Sequence, residues 1–459
     1  MGSPPKKEKV SEQELREVQC VEYGACSYLY QANGAMMDGL RRFFPDTWKT
    51  VFTLAALKCI GEASLKRVQT CYETSYLSVL FPRLGLSAPS LTHVMRELGR
   101  NRDGICSYMR DGLSAYSGFI LVDGHRIISE SRNMPLTQMS YDSRMRYEPQ
   151  INLLYLFGRK DGTRLPLYYK QFAGSVPDCL ALPDIGDEAG IGGSGITVIV
   201  DKGFGSEDDF SAITGSGMHY IIPLRRNTTE AQIPANTSLY ANAFNFRQRS
   251  VFWISGTKDR CKVVVYYDML LAMHETNDLI CRLEKKNNTM AAALQKEGAR
   301  RSKGKSKLTD EQIAAMQSID VASNVQQRSE IGTLILKTDR LDLDESQIYA
   351  LYKTRQEIEQ NSKCYDDTLD LDASFMQDQD TFEGWLFVNH LALQMLYSIL
   401  DHVAQANLAG RYSFKDVLRT LEGIRANKIH GQWRLSQFTK NTRKLCTDLN
   451  IKIDGPLVG

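Results

Sequence analysis

The chain has 459 residues, of which 42% are apolar and 24% charged, with 33 Gly, 13 Pro and 10 Cys. That composition excludes collagenous, disulfide-stapled and fully disordered classes and leaves a globular protein of about three domains at roughly 150 residues each. Fifty-six basic against 54 acidic side chains give a net charge of +2, so bulk charge neither demands nor forbids a nucleic-acid partner and a local patch must decide.

The first ten residues hold two Pro and four charged side chains with no apolar core behind them. They match neither a secretory signal nor an Arg-rich transit peptide, and the expected location is the cytoplasm. From Ser11 to about Ala115, apolar residues such as Leu54, Leu57, Ile60, Leu65, Val68 and Tyr72 recur at three- and four-residue steps, which predicts an all-helical region. Within it, Leu86-Ser-Ala-Pro-Ser-Leu91 reads as a turn whose Ser90 caps a helix over 91–98, with Arg96, Arg100 and Arg102 at its end. Two readings stand for this hairpin: a helix-turn-helix, or an αα-hairpin whose basic residues complement the helix dipole.

From Phe119 the period changes. Phe119–Asp123, Ile151–Phe157 and Leu165–Tyr169 read as strands, a helix is predicted over Asp178–Ala189, a strand over Ile196–Asp201, a helix over Ser206–Thr214 and a strand over Tyr220–Leu224. This β-β-β-α-β-α-β order predicts an α/β fold with a mixed sheet and resembles a ribonuclease-H-like fold. Ser250–Ile254 and Cys261–Tyr267 then read as a hairpin around Ser255–Arg260, and Ile331–Lys337 as a further strand. Between them, Lys285–Lys307 carries eight basic residues against the single acid Glu297 and is read as a solvated loop or a phosphate contact. After Asp344 the pattern is helical to the end, over 346–363, 381–406, 414–427 and 437–448. The apolar stretch Leu386–Leu400 is interrupted by Asn389, His390 and Gln394, so it reads as a buried helix and not a membrane span. No Cys pair has C-x-x-C spacing and the His are scattered singly, so the thiols are expected to be reduced and a His-built metal site is not expected.

Two carboxylates end apolar strands in this reading, each with a Gly close behind: Val122-Asp-Gly-His125 and Val200-Asp-Lys-Gly203. Each alone could be a turn or capping residue; together at adjacent strand ends they invite a cation to offset their mutual repulsion. The helix Tyr349–Glu359 places Tyr352, Arg355 and Glu359 on one face. Its other reading is a surface helix with an i,i+4 ion pair.

On these residues the chain resembles a DDE transposase of prokaryotic insertion sequences, of the insertion-sequence-four type with a Y-x-x-R-x-x-x-E signature and a β-rich insertion before the catalytic Glu. The motifs are Leu121-Val-Asp-Gly124, Phe172-Ala-Gly-Ser-Val-Pro-Asp178, Val198-Ile-Val-Asp-Lys-Gly-Phe204, Thr333-Leu-Ile-Leu-Lys-Thr338 and Tyr352-Lys-Thr-Arg-Gln-Glu-Ile-Glu359. Gln356 stands where the family usually has an aromatic residue and Asp366 where it has a Lys, with Lys363 as a substitute.

The resemblance implies that Asp123, Asp201 and Glu359 are catalytic and hold two Mg²⁺, with Mn²⁺ as a substitute, for in-line cutting and joining of phosphodiesters. It makes Tyr352, Arg355 and Lys363 DNA contacts; Lys202, Arg225, Arg226 and Lys337 read as further phosphate contacts or as plain surface charges. Trp253 would stack on a base flipped from the transposon end, or be an ordinary hairpin-core Trp. The implied organisation is a helical DNA-binding region over 1–115, a ribonuclease-H-like core over 116–224, a β-rich insertion with a basic loop over 225–340, the catalytic Glu helix over 341–380 and a helical C-terminal region over 381–459. The implied function is a DNA transposase acting on its element's ends and on target DNA, a homodimer when bound to DNA, associated with the nucleoid and not with a membrane. Two rivals share the core: a domesticated sequence-specific DNA-binding protein and a structure-specific nuclease.

Overall fold

The computed structural model describes residues 18–61, 65–114, 116, 118–141, 145–160, 163–204, 206–226, 242–302, 309, 318–355, 373–374 and 376–453. The chain forms two compact units: Met1–Ile196, Gly215–Met218 and Glu357–Gly459 in the first, Thr197–Thr214 and His219–Gln356 in the second.

The first unit opens with β1 (Gln19–Glu22) and a series of helices, the longest of them Trp48–Gly61, Ala88–Arg100 and Arg102–Ser114. Its main sheet follows as an antiparallel meander: β2 (Phe119–Ser129), β3 (Gln138–Tyr141), β4 (Tyr147–Lys160) and β5 (Thr163–Ala173), with β2 and β3 both pairing β4 and β4 pairing β5. β2 was expected to end at Asp123. It runs on to Ser129, because β4 continues opposite it from Gly158 as far as Gln150; Asp123 is therefore a mid-strand residue. The helix Asp178–Ala189 begins after Pro177 and stops at Gly190, which takes the left-handed conformation (φ 72°) that a side chain resists.

In the second unit β6 (Thr197–Ile199) and β7 (His219–Pro223) pair in parallel, and the helix Glu207–Gly215 lies between them in sequence. β8 (Asn242–Phe246), β9 (Arg249–Lys258), β10 (Cys261–Asp268) and β11 (Thr333–Thr338) extend this sheet antiparallel, in the order β6–β7–β11–β10–β9–β8. The turn between β9 and β10 is tighter than the six-residue loop expected. Only Asp259 and Arg260 are unpaired, both at positive φ (50° and 61°), the conformation that matches strand twist in a two-residue hairpin. The antiparallel strands β2, β4 and β5 followed by the parallel pair β6 and β7, with a helix before each of the last two, are the elements of a ribonuclease-H-like α/β fold.

Between β10 and β11 the part of the expected basic loop from Lys285 to Arg301 is instead the distal part of a 33-residue helix, Met269–Arg301, whose N-terminus is capped by the Asp268 carboxylate accepting from the N–H groups of Leu270 and Leu271; Lys303, Lys305 and Lys307 lie outside the described residues. The run Met290-Ala-Ala-Ala-Leu-Gln-Lys-Glu297 explains the difference, since strong helix formers without Pro outweigh the repulsion among the lysines.

The chain returns to the first unit with β12 (Ala373–Ser374), parallel to β2, and the helix Gln379–Gln405. That helix is buried through Leu386–Leu396 apart from Gln394, as its apolar stretch predicted. Gly99 and Gly384 set its crossing with Ala88–Arg100: a Cβ on Gly99 would stand 1.8 Å from the Asp380 carbonyl oxygen, and one on Gly384 2.0 Å from that of Met95. The backbones of the two helices touch directly. Near the C-terminus the helix expected over 414–427 ends at Glu422, and β13 (Arg425–Ile429) and β14 (Gln432–Leu435) form a three-stranded sheet with β1. His430 and Gly431 supply the positive-φ turn (51° and 76°) that folds this hairpin.

Candidate active site

Asp123 is half-buried on β2, opposite Tyr155 of β4, which in turn stands opposite Tyr169 of β5. Its neighbour Gly124 faces the other side of the sheet. There the Asp178 carboxylate lies so close that a Cβ on Gly124 would be 2.0 Å from its Oδ2. Asn152 donates to Asp178 Oδ1 at 2.8 Å and Arg126 approaches it at 3.4 Å. The Gly after Asp123 is thus required by packing on the opposite face, and it fixes how the helix beginning at Asp178 seats on β2. In sequence Asp178 stands out only as part of a motif, and its signal is Pro177-Asp178 at a helix start.

Asp201 follows β6 by two residues. Its Oδ1 accepts the N–H of Gly203 at 2.7 Å, an Asx-type turn. Its Oδ2 lies 3.8 Å from the Arg355 guanidinium, and its side chain is 44% exposed. Residues 345–355 are helical, and both Tyr352 and Arg355 are buried in that helix. Two of the residues singled out in sequence, Asp201 and Arg355, are therefore brought together within one unit although 154 positions separate them. Glu359 and Lys363 lie outside the described residues. Among the described residues no group of three His, Cys, Asp or Glu side chains has the geometry of a metal cage. The donor type suits a hard divalent cation, since Asp201 is a partly exposed carboxylate pre-oriented by a backbone N–H.

The other expected DNA contacts divide. Arg225 is exposed, whereas Arg226 donates to the Thr333 carbonyl oxygen at 2.9 Å and pairs with Glu275 at 2.7 Å. Lys202 occupies a single helical turn after Asp201. Lys337 is buried in β11, with its ammonium 3.3 Å from Glu207 and 4.2 Å from the Phe210 ring centre. Trp253 is half-buried on β9 between Asn242 of β8 and Tyr266 of β10.

The basic end of the helix Ala88–Arg100 is engaged internally. Arg96 pairs with Asp378 at 3.1 Å, and Arg100 with Asp380 at 3.2 Å and Glu97 at 3.0 Å. Arg102 lies between Glu188 and Glu383, 2.6 Å from each. The helix before the Leu86–Leu91 turn, Leu77–Leu80, has only four residues, too short for the first helix of a helix-turn-helix. The capping expectation also shifts: the helix starts at Ala88 with Ser87 at the cap position, and Ser90 hydrogen-bonds the Ser87 hydroxyl at 2.9 Å.

The Arg102 cluster escaped sequence reasoning because its members are remote in sequence. Tyr168 donates to Glu188 at 2.9 Å, Tyr169 to Glu383 at 2.8 Å, and Gln171 also donates to Glu383. Burial opposes ionisation of Glu188, but Arg102 and Lys170 outweigh it and bring its pKa down to about 2. Behind the cluster, His390 is fully buried between Tyr155 and Tyr169; burial, reinforced by Arg102, lowers its pKa to about 3.

No helix among the described residues is long and apolar enough to cross a membrane. No curated protein matches the chain. A cryo-EM structure of the piggyBac transposase synaptic complex with hairpin DNA is similar at 11% identity and a TM-score of 0.39, over 87% of this chain and 76% of that one. The family model of the transposase DDE domain matches residues 135–395, a segment that starts after Asp123 and takes in Asp201 and the helix bearing Tyr352 and Arg355. That match spans more than half of the sequence, and the chain belongs to the DDE transposase family, whose members cut and join DNA.

Proposed function

We propose that the chain is a transposase of the insertion-sequence-four type that binds its element's ends, cleaves them and joins them to target DNA, with Asp123, Asp201 and Glu359 as the metal-binding carboxylates. The reading is carried by the approach of Arg355 to Asp201, because Arg355 is the second residue of the Y-x-x-R-x-x-x-E signature and Asp201 the second acid of the triad. Two Mg²⁺, or Mn²⁺ in their place, supply Lewis-acid stabilisation of the phosphoryl oxygens when bound. Gly203 holds the Asp201 carboxylate in orientation through its backbone N–H, so little reorganisation is needed on reaching the transition state. The Arg355 guanidinium, backed by burial, is placed to neutralise a phosphate beside Asp201, with Tyr352 one turn before it.

Lys202, Arg225 and Lys363 serve as outer phosphate contacts. Arg226 braces the base of the long helix through Glu275, and Trp253 offers an aromatic face to the transposon end. In this reading residues 1–115 and 381–459 are mainly helical regions, sharing the small β1–β13–β14 sheet, that flank a core interrupted by the insertion over 225–340, and the protein acts as a homodimer on nucleoid DNA.

The test is cleavage of a labelled duplex carrying the element's ends, with Mg²⁺, Mn²⁺ or EDTA, comparing wild type with Asp201→Ala. Metal-dependent 3′-hydroxyl ends at the element boundary that vanish in Asp201→Ala are expected. Tight end binding with no cleavage by folded wild type would overturn the enzyme reading in favour of a DNA-binding protein.

A further inference from the structure

We propose that the solvent face of the helix Met269–Arg301 is a second nucleic-acid contact, a basic arm that lies along the phosphates of duplex DNA. It rests on the reading that the chain acts on DNA, and it assigns a partner to a surface outside the carboxylate site.

The helix has 33 residues and is about 50 Å long at 1.5 Å per residue. Its two sides differ. Ile280, Leu283, Asn287, Met290, Leu294 and Glu297 alternate at three- and four-residue steps and are buried or half-buried. On that side Asn287 clamps the returning chain, donating to the Ile319 carbonyl oxygen at 2.9 Å and accepting from its N–H at 2.8 Å. At 100° per residue, Lys285 and Lys296 project about 180° away from this seam and within about 20° of each other. Arg282, which pairs with Asp278 one turn before it at 2.7 Å, and Arg300 fall within about 60° of the same line, and both are 68% exposed.

Between the two lysines the line is occupied by Thr289 and Ala292, and Asn288 and Ala293 complete a groove of about 710 Å³ along the helix. Short side chains there let a phosphate backbone approach the helix closely while a lysine engages it at either end. The lysines stand about 16 Å apart along the axis, the span of a few nucleotides of one strand. Among the described residues Lys285 and Lys296 have no acidic partner. Glu284 lies at the groove's edge, and Glu297, the other acid of this stretch, is on the buried side, 3.4 Å from Arg300. The sequence continues the charge with Lys303, Lys305 and Lys307.

An internal core does not need this stripe, because the seam that packs is on the other side. Charge complementarity selects the occupant. Positive side chains repeating along a rigid rod, with small residues between them, fit a polyanion of regular spacing, and phosphate contacts of this kind add affinity without reading sequence.

The experiment uses the full chain and a fluorescent mixed-sequence duplex of about 30 base pairs, longer than the arm, titrated at several salt concentrations. Wild type is compared with Arg282→Gln/Lys285→Gln/Lys296→Gln/Arg300→Gln and with Lys285→Arg/Lys296→Arg. The neutralised variant is expected to melt like wild type and to show a slope of log affinity against log salt shallower by about 4, roughly one unit per lost contact. The Arg variant should keep the wild-type slope. An unchanged slope in the neutralised variant, with wild type still cutting element ends in the presence of metal, would overturn the arm while leaving the transposase reading intact. A wild type that neither binds duplex nor cuts ends would overturn both. Loss of binding to anionic phospholipid vesicles without any change on DNA would also overturn it, assigning the stripe to a membrane surface.

Discussion

The Oδ1 of Asp201 accepts the backbone N–H of Gly203 at 2.7 Å, and a Cβ on Gly203 would stand 2.9 Å from that same oxygen. Gly203→Ala must therefore displace the carboxylate by a few tenths of an ångström while leaving the rest of the second unit in place. End cleavage in single turnover is expected to fall about 10- to 100-fold, with melting temperature and duplex affinity near wild type. A wild-type rate would show that this turn has no part in positioning Asp201.

Gly124 is held by Asp178 in a different way. Gly124→Ala puts a methyl group 2.0 Å from a carboxylate oxygen and should cost about 2–3 kcal/mol in urea denaturation. Adding Asp178→Ala removes the clash, so the double variant should be less destabilised than the two single costs predict, with a coupling of about 1 kcal/mol or more. Additive costs would mean that the two residues do not share the space.

Arg102 neutralises two carboxylates at once. Arg102→Met leaves buried Glu383 without its cation and Glu188 with Lys170 alone, 2.9 Å away, and is expected to cost about 3–5 kcal/mol. Because Glu188 has a folded pKa near 2, below its unfolded value, its contribution is present above about pH 4.5 and is lost as pH falls toward 2. Glu188→Gln should flatten that acid limb of the stability curve. A limb of unchanged steepness would assign it to other carboxylates.

His390 acts in a separate window. Its folded pKa near 3 lies below the usual value of 6.5, so the unfolded chain takes up this proton first. Stability is full above pH 6.5 and declines below it at up to about 1.4 kcal/mol per pH unit. His390→Phe should remove about one proton of linkage between pH 6.5 and 4.5, where Glu188 is still silent. Equal slopes for both proteins in that interval would contradict a neutral, buried imidazole.

The parts of this chain that were legible in sequence are those encoded locally. Pro177 and Gly190 bracket one helix, apolar runs mark β6, β7 and β11, and the close spacing of Asp201 and Gly203 marked a loaded turn. What escaped was set by partners distant in the chain. β2 outruns its apolar segment because β4 continues beside it, and the arginines at 96, 100 and 102 looked like free cations because their acids are mostly near residue 380. Lys285–Arg301 reads as a loop on charge alone, whereas its strong helix formers outweigh that charge. β13 and β14 were missed because the polar residues around His430 and Gly431 mask a turn signal.

The direct backbone crossing at Gly99 and Gly384 also bears on how the protein is born. The helix bearing Gly384 is made some 280 residues after its partner, and translation at about 5–20 residues per second puts roughly 15–60 s between the two. Throughout that interval the nascent N-terminal helices have a slot prepared and nothing to fill it. The first unit can therefore close only after all of the second, which ends at Gln356, has been synthesised.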